Sequence, residues 1–399
     1  MTQILDPSST TVSSSAVATS AAERFASRIN RTVNTGAEAY RPGIIDRTIA
    51  LSARALGLLP SAVLRPLCPR NADGDRLDPD IALSLLSLKI IGGKDISEQD
   101  AVAARRNVDR QAYLAGSCGA AAPQVGSVQD DVVAGVRVRD YRPAAESSVA
   151  GAHAAAEPVV LYIHGGGWVT GSLDSHDVTC RYLCSNAGVR VISIDYRMAP
   201  EFPHPAPLDD VTAVVTAALD GKIPGVDPGE VVVAGDSAGA HLSATVCLRL
   251  RQEGKQQPAL QMLFVPVTDQ RPVEEVTASH RSRQEFGSGR YLTTAHMEWY
   301  DGQFLGDLDT EGRCDPLVSP LLAEDLTGLA PAYVAVAGHD PLRDEGEDYA
   351  LRLAEAGVPV AVRRHLGLVH PFCNSPVIWK GARRALDDAV AALRQVLSS

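Results

Sequence analysis

The 399-residue chain contains no uninterrupted apolar run of about 18 residues, so no segment reads as a membrane-spanning helix. It also has no basic block. Its 37 Lys and Arg stand against 48 Asp and Glu, a net charge of −11, which argues against nucleic acid as a partner. The first residues, MTQILDPSSTTVSSSAVATSAAERF, lack the basic start and apolar run of a signal peptide. Their Ser, Thr and Ala content reads as a disordered leader over residues 1–25. Cysteine is sparse: Cys68, Cys118, Cys180, Cys184, Cys247, Cys314 and Cys373 are odd in number and follow no short-period framework. Cys180 and Cys184 are one helical turn apart, but no neighbouring pair completes a metal site. The expectation is reduced thiols in a cytoplasmic protein.

What is present is apolar residue, 45% of the chain, enough for one large α/β core with a smaller attachment. Residues 43–69 and 77–93 read as apolar-faced helices. Pro60, Pro66 and Pro69 break the first, and Gly92-Gly93 ends the second. Residues 98–116 add another helical segment. From Val132 the texture changes. VVAGVRVRDYRP reads as a strand, followed by the glycine-bounded runs PVVLYIHGGG, VRVISIDYR, EVVVAGDSAG, LQMLFVPVTD and AYVAVAGHD. Helical segments at 175–187, 207–220, 238–252 and 345–357 separate most of them. Strands without polar alternation, interleaved with helices, predict a mostly parallel α/β sheet buried on both faces. Residues 268–325 interrupt that rhythm and read as a cap insertion. The division expected is a helical cap region over 26–120 and a catalytic domain over 121–399, with ligands at the C-terminal ends of the strands.

Ser237 stands in Gly235-Asp236-Ser237-Ala238-Gly239 directly after a valine run, the setting of a strained strand-to-helix elbow. The flanking glycines let helix and strand approach with no Cβ between them. The N–H of Ala238, at the start of the next helix, then faces a developing oxyanion. HGGGW, His164 to Trp168, also follows a strand, and its three glycines leave backbone N–H groups free to converge on one oxygen. His164 reads as structural. A serine hydroxyl needs a histidine base held by a carboxylate, and the α/β-hydrolase chain order is Ser, then acid, then His. Asp340 ends an apolar strand at the catalytic edge, whereas Asp344 is placed to cap the helix that follows. His370 lies on the loop after the final strand, His365 within or at the end of that strand, and His339 beside the site.

HGGGW, DYRMAPEFPHPAPLDD, GDSAG, DPLRDEGE and GLVHPF, in this order, resemble the hormone-sensitive-lipase family of α/β-hydrolases, also called bacterial family IV esterases. The resemblance covers roughly residues 130–398, and the early helices resemble the N-terminal cap of long actinobacterial members. It implies Ser237 as nucleophile, Asp340 as acid, His370 as base, and Gly166, Gly167 and Ala238 as oxyanion donors. Two positions depart from the family pattern. Pro371 replaces the glycine after the base, which bears on the local loop geometry, and Ala240 replaces the glycine after GDSAG. Asp195, Tyr196 and Arg197 read as a polar network supporting the glycine loop.

The reading is a serine carboxylic-ester hydrolase with no metal and no organic cofactor. The resemblance implies short to medium acyl esters as substrates and dimerisation through the last strand and helix. An amidase or acyltransferase would use the same triad. A small-ligand receptor of the same fold lacks the base, and His370 is present here. Ile44, Ile45, Ile49, Leu56, Leu58 and Leu59, with Leu83, Leu85, Leu86, Ile90 and Ile91, read as a cap face over the acyl pocket. With Arg47, Arg54 and Arg65 interspersed, the first of these segments has an alternative place along a membrane surface.

Overall fold

The computed structural model describes residues 43, 46, 64–91, 94–116, 122–148 and 156–397. The leader, Cys118 and Ile44, Ile45, Ile49, Leu56, Leu58 and Leu59 lie outside the described residues, as do the side chains of Ile90 and Ile91. Among the described residues, two long helices precede the sheet, α1 (Pro79–Ile91) and α2 (Ala101–Leu114). Asp100 caps α2, its side chain accepting from the Ala103 N–H.

Eight strands form one sheet: β1 (Ser127–Val133), β2 (Val136–Arg142), β3 (Glu157–Ile163), β4 (Arg190–Ile194), β5 (Val226–Asp236), β6 (Leu260–Phe264), β7 (Ala332–His339) and β8 (Val360–Val369). Their spatial order is β1-β2-β4-β3-β5-β6-β7-β8. From β4 to β8 neighbours run parallel; β1 and β2 are antiparallel to each other, and β2 is antiparallel to β4.

The antiparallel edge corrects the expectation of a single strand from Val132. Ala134 and Gly135 both adopt positive φ, 50° and 83°. Such a two-residue turn matches the twist of a hairpin and reverses the chain between β1 and β2.

Helices α3 (Asp177–Ala187), α4 (Ala206–Leu219), α5 (Ala238–Gln252), α10 (Arg343–Glu355) and α11 (Lys380–Leu397) cover the sheet. Along β3, Val159, Leu161 and Ile163 pack with α4, α5 and α10, while Val160 and Tyr162 pack with α3 and α11. Both strand faces are therefore buried, which is why the run PVVLYI shows no polar alternation. The 268–325 segment holds α6 (Val273–Ser279), α7 (Arg281–Phe286), α8 (Thr294–Phe304) and α9 (Thr310–Arg313). Among the described residues, no helix is long and apolar enough to cross a membrane.

Candidate active site

The elbow is built from close backbone approach. A Cβ on Gly239 would overlap the Ile163 carbonyl, and one on Gly235 would overlap the Gly239 backbone. With neither present, α5 starts against β3 and β5. Ser237 takes φ 55°, ψ −120°, a strained conformation for a residue with a side chain. Its N–H donates to the Phe264 carbonyl at 2.9 Å, which ties the turn to β6.

Ser237 Oγ lies 2.9 Å from His370 Nε2, and His370 Nδ1 lies 3.0 Å from Asp340 Oδ2. The other Asp340 oxygen accepts the Leu342 N–H at 2.9 Å. A carboxylate can only accept, so Nδ1 carries the hydrogen and Nε2 is free to take one from the serine. All three side chains are buried. Pro371 leaves this geometry intact at φ −90°, and Ala240 is buried in α5.

Asp344 departs from the expectation. It lies inside the first turn of α10 and accepts the Ser282 N–H at 2.7 Å, so it secures the start of α7 instead of its own helix. His365 sits in β8 with its ring 5.3 Å from Phe372, and burial lowers its pKa. His339 packs 5.6 Å from Phe286, and its pKa is pushed down to about 4, chiefly by burial.

The glycine loop after β3 adopts φ 114° at Gly166 and 59° at Gly167. A Cβ on Gly166 would overlap Thr170, and one on Gly167 would enter the Tyr300 ring. Among the described residues, the N–H groups of Gly166, Gly167 and Ala238 have no protein acceptor. Beneath the loop, His164 stacks on Tyr196 with ring centroids 4.3 Å apart, and the Tyr196 hydroxyl donates to the His164 carbonyl at 2.9 Å. Burial lowers the His164 pKa to about 3, so its ring stays neutral and serves as packing. Asp195 pairs with Arg137 at 2.6 Å, and Arg197 pairs with Asp210 at 2.8 Å.

A second network was not foreseen from sequence. Asp236 accepts from Tyr162 Oη at 2.8 Å, Gly165 N at 3.2 Å and Asn374 Nδ2 at 3.1 Å, and lies 3.3 Å from His176 Nε2. Burial alone would raise its pKa; His176 and the hydrogen bonds from Tyr162 and Asn374 hold it at about 2. Only Asp236 had a signal, its place inside GDSAG. His176 and Asn374 come from separate segments with no recognisable spacing.

Ser237 and His370 open onto a cavity of about 410 Å³. Val267, Leu292, Met297, Tyr300 and Leu342 supply apolar wall, while Leu88, Val108 and Leu114 close it from α1 and α2. A second cavity of about 240 Å³ adjoins it, lined by Leu83, Ala112, Ile378 and Trp379 and sharing Pro371 and Asn374. Among the described residues, no group of three or more His, Cys, Asp or Glu is placed to hold a metal ion.

A family model described as alpha/beta hydrolase fold matches residues 160–374. The chain is 40% identical to the carboxylic ester hydrolase LipN of Mycobacterium tuberculosis, over 82% of this chain and 85% of the relative. It is 36% identical to an ethyl acetate hydrolase of Pseudomonas putida, over 65% of this chain and 78% of that one. A hyperthermophilic esterase from Pyrobaculum calidifontis superimposes with a TM-score of 0.72 at 31% identity, covering 81% of this chain and 99% of that chain. An α/β-hydrolase enzyme from the metagenome of Lake Arreo gives the same TM-score of 0.72 at 35% identity, over 81% and 99%. With its sheet order, its elbow and these relatives, the chain belongs to the α/β-hydrolases, in the hormone-sensitive-lipase-like (bacterial family IV) esterase group.

Proposed function

We propose that the chain hydrolyses carboxylic esters of short to medium acyl length, with Ser237 as nucleophile, His370 as base and Asp340 as the acid that orients the ring. Ser237 Oγ attacks the ester carbonyl while His370 Nε2 takes its proton. The N–H groups of Gly166, Gly167 and Ala238 receive the tetrahedral oxyanion. His370 then protonates the leaving alcohol, and water releases the acyl enzyme by the same steps. Each such donor typically contributes about a hundred- to a thousandfold in turnover. The observation that carries this reading is the continuous contact from Ser237 through His370 to Asp340, 2.9 and 3.0 Å, facing the cavity. Ethyl acetate, the ester for which the Pseudomonas putida relative is named, supports the short end of the chain-length range.

In this reading the helices within 26–120 and the 268–325 segment form a cap over a catalytic domain of residues 121–399. α1 buries Ile81 and Ala82 against the core, as a cap helix would, while most of the first apolar segment, for which the membrane surface is the alternative, lies outside the described residues. We place the chain in the cytoplasm, on the six cysteines among the described residues, all free and five of them buried. A homodimer would form at β8, the sheet edge, where Val362 and Leu366 are exposed.

The test is labelling with a fluorophosphonate, then a nitrophenyl-ester series from two to twelve carbons with amide and alcohol-acceptor controls. The reading expects label on Ser237 alone and the best kcat/KM at about two to eight carbons. Faster amide cleavage or alcoholysis would reassign the reaction within the same triad.

A further inference from the structure

α2 carries Arg105 and Asp109 one turn apart, hence on one face. Both reach the loop that starts with the glycines and ends at His176. Arg105 Nε donates to the Val169 carbonyl at 2.8 Å and Nη2 to the Ala199 carbonyl at 2.8 Å, while Nη1 meets Glu201 at 2.8 Å. Asp109 accepts the Ser172 hydroxyl at 2.8 Å.

From Ser172 the bonds continue inward. The Ser172 N–H donates to Ser175 Oγ at 2.8 Å, and the Ser175 N–H donates to Ser172 Oγ at 3.0 Å. The Ser175 hydroxyl gives its own proton to the Ser172 carbonyl at 3.0 Å. Ser175 Oγ also lies 2.8 Å from His176 Nδ1. On the far side of the ring, Nε2 meets Gly165 N at 3.3 Å, Asn374 Nδ2 at 3.1 Å and the Asp236 carboxylate at 3.3 Å. Gly165 is the residue before the oxyanion amides.

We propose that Arg105 and Asp109 are positioning residues for ester hydrolysis, Arg105 holding the oxyanion loop at the Val169 carbonyl and Asp109 fixing it through Ser172, Ser175 and His176. The inference rests on the esterase reading above. A helix that merely covered the cavity would need only its apolar contacts there, Val108 and Leu114. A buried polar chain is worth keeping only when every member is satisfied, and here each one is. The helix that roofs the pocket is thus also part of the scaffold holding the reacting carbonyl. Substrate contacts along α2 feed into turnover as well as binding.

The test compares the full chain with Asp109→Ala, Ser172→Ala, both together, and Asp109→Asn, using nitrophenyl acetate. Each alanine variant is expected to lose about ten- to a hundredfold in kcat with KM within about twofold, because the amides are misplaced rather than the pocket. Affinity for a trifluoromethyl ketone, which forms the oxyanion adduct, should fall by the same factor. The double variant should be no worse than the poorer single, since both break one chain, and Asp109→Asn, which keeps an acceptor, should recover most of the loss. Additive losses, or unchanged kcat with only a lower melting temperature, would overturn the proposal. Ser172→Ala removes a single oxygen and carries the test if Asp109→Ala does not fold. An unmodified chain that neither labels nor cleaves any ester would instead overturn the esterase reading.

Discussion

The Asp340 carboxylate meets His370 Nδ1 at 3.0 Å, while Asp344, four residues on, gives its carboxylate to the Ser282 N–H at 2.7 Å. Two neighbouring acids therefore have separable work. Asp340→Asn should lower kcat by about a thousandfold or more, because an amide at that position no longer holds Nδ1–H toward it. Asp344→Asn should leave kcat within about threefold and cost roughly 1 kcal/mol of stability from the weakened tie to α7. Steady-state kinetics and thermal melts on both variants check the ranking; the reverse order would move the acid to Asp344.

Two glycines make an opposed pair. Gly239→Ala would drive its methyl into the Ile163 carbonyl, which is backbone and cannot swing away. A loss of about 3 kcal/mol or more, or no soluble protein, is expected. Gly302, inside α8, has nothing within 4 Å of an added Cβ. Gly302→Ala should stabilise by up to about 1 kcal/mol through the unfolded chain and helix propensity. Melting temperatures of both variants decide it, and a stable Gly239→Ala would contradict the close-approach account of the elbow.

The readable parts of this molecule are those where a local run settles the environment. Burial of both faces makes β3, β7 and the 231–235 part of β5 near-continuous apolar runs, so they stand out before any fold is known. The elbow is equally local, five residues on one turn. Asp340, set 3.0 Å from His370, is legible for the same reason, since it directly follows a strand end. The hairpin was missed because Ala134-Gly135 is a weaker turn signal than Asn-Gly, and VVAGVRV reads straight through it. Asp344 was misassigned because a helix-start acid is ordinarily a cap, whereas its partner Ser282 lies 62 residues earlier. Arg105 and Asp109 look like the solvated face of a helix until the loop they hold is folded against them. Long-range polar partners leave no period in the chain.

Asp301 supplies a pH prediction. It is buried in α8 beside the cavity, and burial pushes its carboxyl up to about 7 against the lowering influence of Arg283 and Arg313. A carboxyl whose folded pKa is raised favours the folded state while protonated. The penalty is absent below the unfolded value near 4, grows as pH rises, and is complete above about 7. Asp301→Asn should therefore be more stable than the unmodified chain at pH 8, by on the order of a few kcal/mol at most, and melt higher there, with most of that gain gone at pH 4.5. Melting curves across that range check it. A stability gain that did not shrink toward acid would show that ionisation of Asp301 is not the cause.

The adjoining cavity bears on chain length. Its 240 Å³ lie beyond Pro371 and Asn374, which both cavities share, and its walls are mostly apolar: Leu83, Ala112, Ile378 and Trp379. If the longer substrates extend into it, each buried methylene contributes about 0.8 kcal/mol. Octanoate has four methylenes more than butyrate, so denying it that space should cost about 3 kcal/mol, or roughly a hundredfold in kcat/KM. Ala112→Phe places a ring in the cavity from α2 without touching Ser237, His370 or the glycine loop. The variant should keep acetate and butyrate hydrolysis within about twofold while octanoate falls steeply, and Ile378→Trp should act in the same direction from the opposite wall. An equal fall for all chain lengths would mean that substrates stay in the 410 Å³ cavity and that the second one lies off their path.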